Sequence, residues 1–337
     1  MTSPRLLVGG ALLLSGVAVL AIGFGSVAIA PGDVVSILAR QIFGVGEVAQ
    51  GAGATSIVMD LRLPRILAAI LVGAALAVAG GAFQSLLRNP LADPYVLGTS
   101  SGAALGAAIA ILLPIGGVAW ELGGVQLAAF IGALASVGLV GRVAGIGSGE
   151  ERIASVLLVG YAVASLLAAA LSLVMLASGA NLRAIFSFLL GGLDGATWPR
   201  LAAAALPLIA ATTLLALRGR ALAGFLLGDE AAQHLGVDVR RERRIAVALA
   251  SLATAAAVAL AGLVGFVGLV VPHLVRLAVG PDPRAVLPLS AIGGALLLLL
   301  ADTIARSIAV PVGVITALIG APFLLWLLHR ARTGYAL

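Results

Sequence analysis

The chain of 337 residues contains no cysteine and no lysine, and only 10% of its residues are charged. Without cysteine it forms no disulfide and offers no thiolate metal ligand or cysteine nucleophile. Without lysine it lacks the residue that a P-loop, GxxxxGK[ST], brings to the nucleotide phosphates, so ATP hydrolysis coupled to it must occur on another chain. Soluble domains carry about 25% charged residues. The sequence therefore excludes a soluble globular protein.

Hydrophobic residues make up 61% of the chain, and the mean hydropathy is +1.18. A helix that crosses a bilayer needs about 20 apolar residues, so this content suffices for roughly ten crossings. A transmembrane β-barrel would alternate apolar and polar residues along each strand, whereas this chain has unbroken apolar runs such as 296–301. We predict an all-α membrane protein with about ten transmembrane helices, forming a single polytopic domain over residues 1–337.

The apolar stretches predict where the spans lie. The first, about residues 6–30, exceeds the usual apolar core of a secretory signal and is interpreted as span 1. Residues 245–279 are too long for one crossing, and the glycines at 262, 265 and 268 divide them into span 7 and a short span 8. The remaining spans are predicted at about 64–86, 95–114, 123–143, 154–177, 199–217, 286–308 and 314–329.

The arginines are distributed unequally over the two predicted sides. With ten crossings and both termini in the cytoplasm, 14 of the 20 basic residues lie on the cytoplasmic side, in agreement with the positive-inside rule. These residues occur singly or in short clusters, so the pI of 11.1 gives no support for nucleic-acid binding. The outer minority consists of Arg40, Arg62, Arg65, Arg183, Arg200 and Arg306.

The longest predicted cytoplasmic loop, about residues 218–244, contains the segment DEAAQHLG at 229–236. This segment predicts a short amphipathic helix with two acidic residues near its positive N-terminal end and a glycine that ends it in a left-handed conformation. Such a helix favours docking to a cytoplasmic partner, the alternative being a helix that rests on the protein's own loops. The predicted docking residues are Asp229, Glu230, Ala231, Ala232, His234 and Gly236.

Two further features lie at the junction of spans 2 and 3. The steps Asn89-Pro90 and Asp93-Pro94 disfavour helix and remove two N–H donors, which predicts a rigid turn. This turn either only joins the two spans or also contacts a partner. Span 3 then carries Gly98, Gly102 and Gly106 four residues apart, a spacing typical of close helix packing within the chain or at a subunit seam.

Several motifs together resemble one family. The segment at 229–236 is similar to the EAA loop of ABC importer permeases, although the Ile-x-Leu-Pro that usually follows it is missing. Other segments resemble the permeases that import cobalamin, haem and ferric siderophores, the type II ABC importers, and the similarity covers nearly the whole chain beyond span 1. These segments are RLPR at 62–65, NPLADP at 89–94, and residues 265–276, 300–306 and 311–322.

The resemblance implies a multi-pass permease of the bacterial inner membrane that is not itself an enzyme. It implies a homodimer in membrane lipid, two cytoplasmic ATPase subunits that hold ATP and Mg, and an extracytoplasmic substrate-binding protein. No cofactor or metal is expected on this chain. At positions matching Arg62, Arg65 and Arg306, the family's basic residues are thought to meet acidic residues of the binding protein, a task that suits the planar guanidinium fork.

The cargo implied by the resemblance is a bulky metal chelate, ferric siderophore or haem, with cobalamin as the alternative. Arg183, in an outer loop, would favour an anionic cargo. A different class, the ion-coupled secondary transporter, needs acidic groups within the spans. Asp302 is the only such candidate, and Arg306 lies four residues away on the same helix face. His273 has no further ligands nearby in sequence, so we expect it to serve packing or capping.

Overall fold

The computed structural model describes residues 4–25, 27–44, 52–113, 123–144 and 150–332. Throughout these ranges the regular secondary structure is helical. A π-helical turn, Ile57–Arg62, joins the third helix to the fourth, and a 3₁₀ turn, Gly179–Asn181, precedes the eighth. In chain order the α-helices are α1 (Pro4–Gly23), α2 (Pro31–Phe43), α3 (Ala52–Ser56), α4 (Leu63–Leu86), α5 (Thr99–Leu112), α6 (Gly124–Ala144), α7 (Glu150–Ala177), α8 (Leu182–Leu189), α9 (Trp198–Leu217), α10 (Gly219–Leu226), α11 (Asp229–His234), α12 (Val239–Ala261), α13 (Val267–Val279), α14 (Pro283–Ser307) and α15 (Val312–Arg332).

Eight helices of the described ranges are long and apolar enough to cross a bilayer, and two shorter apolar helices, α5 and α13, accompany them. The predicted all-α fold with ten spans, the eighth of them short, is therefore confirmed. Two boundaries differ from the prediction. Span 1 ends at Gly23 rather than near residue 30, because the chain leaves the helix there and Pro31 starts the separate helix α2. Span 3 begins only at Thr99, because a turn occupies the preceding residues.

Helix α4 lies at the centre of the bundle. It packs against α9, α12, α13 and α14, and 78% of its most apolar stretch is buried, compared with 11% for α7 at the periphery. Its closest neighbour is α14, where a Cβ added to Gly73 would overlap the backbone carbonyl of Gly294. Small residues let helix backbones meet in this way in lipid, where no hydrophobic effect drives helices together.

Helices α5 and α6 form a second close pair. A Cβ on Gly102 would overlap the carbonyl oxygen of Gly132, and one on Gly106 would overlap that of Ala128. Gly98 precedes α5 with a φ of 72° and approaches the side chain of Ser136 on α6. The glycines that the sequence singled out in span 3 thus lie on the α5–α6 contact within one chain.

Residues 262–266 break the path between α12 and α13. Gly262 has a φ of 65°, and Phe266 has a φ of 69°. The break starts beside the outer connection at Phe188, and α13 then begins deep in the bundle, where Gly268 packs against Gly80 of α4. The chain crosses this part of the bundle without helix, which is why span 8 is short.

Candidate functional sites

The cytoplasmic loop folds as α10, α11 and the start of α12. Asp229 at the N-terminus of α11 accepts hydrogen bonds from Arg88 (3.0 Å) and Arg243 (2.7 Å). The guanidinium of Arg243 also lies 5.4 Å from the centroid of the Phe225 ring, and Arg88 Nε donates to the Phe225 carbonyl at 2.9 Å. Two charge-assisted contacts, one from the turn after α4 and one from α12, therefore fix α11 at the inner end of α4.

The outward side of this loop is partly apolar. Glu230 and His234 are exposed, Ala231 is half-buried, and Ala232 is fully buried against the loop. Gly236 follows α11 with a φ of 81°, the left-handed conformation expected from the sequence. Two leucines on either side of α11, Leu227 and Leu235, are 67% and 66% exposed. The sequence reasoning missed these leucines, although isolated apolar residues in a polar loop are a visible signal.

A groove of about 560 Å³ lies beside α11. Leu227, Leu235 and Val237 form part of its lining, and Arg220 and Arg241 supply charge. The remaining charged residues of its lining are Asp238, Glu242 and Arg284. Next to the groove, the hydrogen bond from Arg284 holds the pKa of the Asp282 carboxyl below its usual range. An apolar surface with charges around it, on the cytoplasmic side of a membrane protein, is typical of a protein-binding site.

At the outer end of the bundle, Arg65 connects three parts of the chain. Its Nε and Nη2 donate to the carboxylate of Asp302 on α14 at 2.9 and 2.7 Å, and its Nη1 donates to Asp194. The side chain of Asp302 has no exposed surface, whereas that of Asp194 is 78% exposed. The spacing places Arg306 on the same helix face as Asp302, but the hydrogen-bonded partner of Asp302 is Arg65 on α4.

The other two arginines predicted to meet the binding protein, Arg62 and Arg306, hold the end of α1. Arg62 is 7% exposed, and its Nη1 donates to the carbonyls of Ile22 (2.6 Å) and Gly23 (3.1 Å) while Nη2 donates to Val27. Arg306 donates to the carbonyl of Ala21. Cations at the C-terminal end of a helix satisfy its unpaired carbonyls. Arg62, Arg65 and Arg306 thus lie at one corner of the molecule, and the contacts described for them are internal.

The NPLADP turn packs against the bundle, with Ala92 and Pro94 buried and Asn89 exposed. Asn89 Oδ1 accepts from the Leu91 N–H at 2.9 Å, and Asp93 Oδ1 accepts from the Tyr95 N–H at 2.8 Å, so both side chains stabilise the turn. Pro94 lies so close to Gly268 that a Cβ on Gly268 would clash with the proline ring. Pro90 lies between the two Asx contacts.

This turn also contacts the non-helical break before α13. Tyr95 donates its hydroxyl to the Val264 carbonyl at 2.9 Å, and Gln84 Nε2 donates to the carbonyls of Ala92 (3.2 Å) and Gly268 (3.3 Å). Irregular backbone inside a membrane protein needs such partners, because lipid supplies none. The turn therefore supports α13 as well as joining α4 to α5.

His273 on α13 is buried, with its ring edge towards Phe323 of α15 at 5.9 Å between ring centroids. Neither ring nitrogen has a hydrogen-bond partner among the residues that the structure describes. Across all the residues that the structure describes, no three His, Cys, Asp or Glu side chains lie close enough together to hold a metal ion. These contacts agree with the packing role expected from the sequence.

Comparison with known proteins assigns the chain to a family. The model of the FecCD transport family matches residues 12–330. The cobalamin import system permease protein BtuC of Halobacterium salinarum is 46% identical over 289 residues, covering 85% of this chain and 76% of that protein. The hemin transport system permease protein HmuU of Yersinia pestis is 39% identical over 280 residues, covering 81% and 83%.

Among solved structures, an inward-facing conformation of a metal-chelate type ABC transporter superposes with a TM-score of 0.84 at 29% identity. The match covers 97% of this chain and 100% of that one. Fold, sequence and the order of the motifs agree over the same residues, and the chain belongs to the FecCD transport family.

Proposed function

We propose that the chain is the permease subunit of an ATP-driven importer of a bulky metal chelate, and that it forms the translocation path. The observation that carries this proposal is the family membership, together with relatives named for cobalamin and for hemin. Both of those cargoes are metal macrocycles. The proposed cargo class is therefore a metal macrocycle or another chelate of similar bulk, such as a ferric siderophore.

The energy source is proposed to be a pair of cytoplasmic ATPase subunits that bind ATP and Mg. The surface proposed to receive them is α11 with Leu227 and Leu235, because it is exposed, partly apolar and held rigidly through Asp229. This chain contributes no P-loop, since the lysine of that motif is absent from its sequence. Its own part is to change conformation when the ATPases do.

A second copy of the chain is proposed to complete the path. Support comes from α7, whose apolar side chains Leu158, Leu166 and Leu173 are 71%, 66% and 70% exposed. Large apolar side chains along one poorly buried helix suit a subunit seam as well as lipid.

The corner with Arg62, Arg65 and Arg306 is proposed to dock the binding protein. In that role, the ion pair of Arg65 with the exposed Asp194 lies at the surface, and Arg62 and Arg306 position the end of α1.

Transport in proteoliposomes tests the proposal. The purified chain is reconstituted with its cognate ATPase and binding protein, and uptake of cyanocobalamin, haemin and a ferric siderophore is compared with and without vanadate. We expect one of these cargoes to enter only with ATP and to be blocked by vanadate. Uptake by the chain alone, driven by a proton or Na⁺ gradient, would refute the proposal and favour an ion-coupled transporter.

A further inference from the structure

Two cavities meet at the outer end of the bundle. The lower one, about 410 Å³, lies between α6, α9 and α12, and it is lined mainly by apolar side chains such as Phe130, Pro207 and Ala256. The upper one, about 280 Å³, lies towards the outer surface, where Ser187 and Asp194 contribute polar groups. Both cavities are lined by Gln126, Arg200, Ala259 and Leu260. They therefore adjoin at these residues and are together called the recess, which is apolar in the lower cavity and more polar in the upper one.

The junction of the two cavities carries an incompletely paired cation. Arg200 Nη1 donates to the Gly195 carbonyl at 3.1 Å, but Arg200 Nε, although buried, has no acceptor among the residues that the structure describes. The buried Oε1 of Gln126, at the same junction, also has no partner within these residues. Buried polar atoms in native proteins are nearly always paired. As far as the described residues go, both groups are therefore available to a polar ligand in the recess.

The position of the recess relative to the bilayer narrows the choice of ligand. Trp198, two residues before Arg200, begins α9 and is 41% exposed, and tryptophan concentrates at the headgroup level of membranes. Near the lower cavity, Leu127 and Leu206 are 61% and 76% exposed, as expected for side chains in contact with lipid. Arg200 thus stands at headgroup depth, with an apolar cavity beneath it that adjoins the bilayer.

We propose that this recess binds one phospholipid of the outer leaflet. An acyl chain occupies the lower cavity, and the phosphodiester accepts hydrogen bonds from the guanidinium of Arg200, whose fork geometry suits phosphate. Asp194 opposes an anion in the upper cavity only weakly, because its side chain is 78% exposed to solvent and shares the guanidinium of Arg65 with Asp302. The site adjoins the proposed binding-protein corner at Asp194 and lies between α6, α9 and α12.

Lipid retention by the purified full-length chain tests this proposal. The chain is delipidated in detergent and titrated with phosphatidylglycerol, and bound lipid is counted by native mass spectrometry. We expect one tightly retained lipid per wild-type chain. Arg200→Gln, which removes the charge, and Ala204→Trp, which fills the lower cavity, should each lower the affinity about tenfold or more. Arg40→Gln, at an exposed outer arginine on α2 away from the recess, is the matched control and should retain the lipid.

A second readout distinguishes lipid from other ligands and from misfolding. Phosphatidylglycerol should raise the melting temperature of the wild type and of Arg40→Gln more than that of either recess variant, because binding stabilises only a folded site. Glycerol 3-phosphate, which has the phosphate without the chains, should not compete. Equal lipid retention by all four proteins, or equal binding of glycerol 3-phosphate and lipid, would overturn the proposal, the latter result identifying a site for a soluble anion.

Discussion

Asp302 has no exposed side-chain surface, so its charge depends on the guanidinium of Arg65. A buried carboxylate that loses its partner must be neutralised or hydrated, and both processes cost free energy. We expect Arg65→Ala to lower the free energy of unfolding by about 3 to 5 kcal/mol. The double variant Arg65→Met/Asp302→Leu should lose less than Arg65→Ala, because no unpaired charge stays buried.

Unfolding in mixed micelles, followed by circular dichroism, measures these differences. Arg284→Gln breaks an exposed ion pair with Asp282 and serves as the control, with a stability close to that of the wild type. If the double variant were less stable than Arg65→Ala, the pair would not act through its buried charge, and the argument would fail.

The pairing of Asp302 shows where sequence reasoning about residues ends. The family resemblance grouped Arg62, Arg65 and Arg306, spacing added Asp302 through Arg306, and the structure places the four residues at one corner. The partner of Asp302 is nevertheless 237 positions away in the chain. An i, i+4 spacing reports only which residues share a helix face, whereas a contact between α4 and α14 depends on how two helices pack.

At the scale of elements, the contact between α5 and α6 depends on the absence of side chains. A Cβ on Gly106 of α5 would overlap the carbonyl of Ala128 in α6. A Cβ on Gly138 of α6 would meet nothing within 4 Å. Gly106→Ala should therefore destabilise the chain by about 1 to 3 kcal/mol through overpacking. Gly138→Ala should be neutral or stabilising by up to about 1 kcal/mol. Melting temperatures of the two variants give the comparison, and equal values would contradict close packing at Gly106.

On and beside the docking helix α11, the residues proposed to contact the ATPase differ from the residue that anchors the helix. Glu230 and Leu235 are exposed, whereas Asp229 is held by Arg88 and Arg243. Glu230→Arg and Leu235→Ser should weaken binding of the ATPase about tenfold, equivalent to about 1.4 kcal/mol, and leave the melting temperature unchanged. Asp229→Asn should lower both, because the guanidiniums of Arg88 and Arg243 lose a charged acceptor.

Co-purification and fluorescence titration with the ATPase measure this binding. Arg240→Gln, an exposed change in the same loop but away from the groove, is the control and should bind as the wild type does. Full ATPase affinity in Leu235→Ser would remove α11 and its flanking leucines from the proposed interface.

Elements were predictable from the sequence where a local residue pattern defines them. The break near Gly262 and the helix at Asp229–His234 follow from glycine and from a short amphipathic pattern. The end of α1 did not follow, because apolar residues continue beyond Gly23 and hydropathy cannot tell helix from extended chain. The contact of the Asn89–Pro94 turn with α13 was also not predictable, since backbone carbonyls such as that of Val264 leave no sequence pattern.

At the scale of the whole molecule, ten crossings place the connection at Gly179–Asn181 and the helix α11 on opposite sides of the membrane. The lack of native cysteine makes this arrangement directly testable, because any introduced thiol is the only one in the chain. Asn181 and Gln233 are both exposed, and Ala69 in α4 is fully buried. Labelling with a membrane-impermeant maleimide therefore reports the side on which each position lies.

We expect Asn181→Cys to react in intact spheroplasts and Gln233→Cys to react only after permeabilisation. Ala69→Cys should stay unlabelled in both conditions, because its side chain is packed between helices. This result would place the arginine-rich loop of α10 to α12 in the cytoplasm, as the charge distribution requires. Labelling of Gln233→Cys in intact spheroplasts would invert the topology and move the proposed ATPase surface to the wrong side of the membrane.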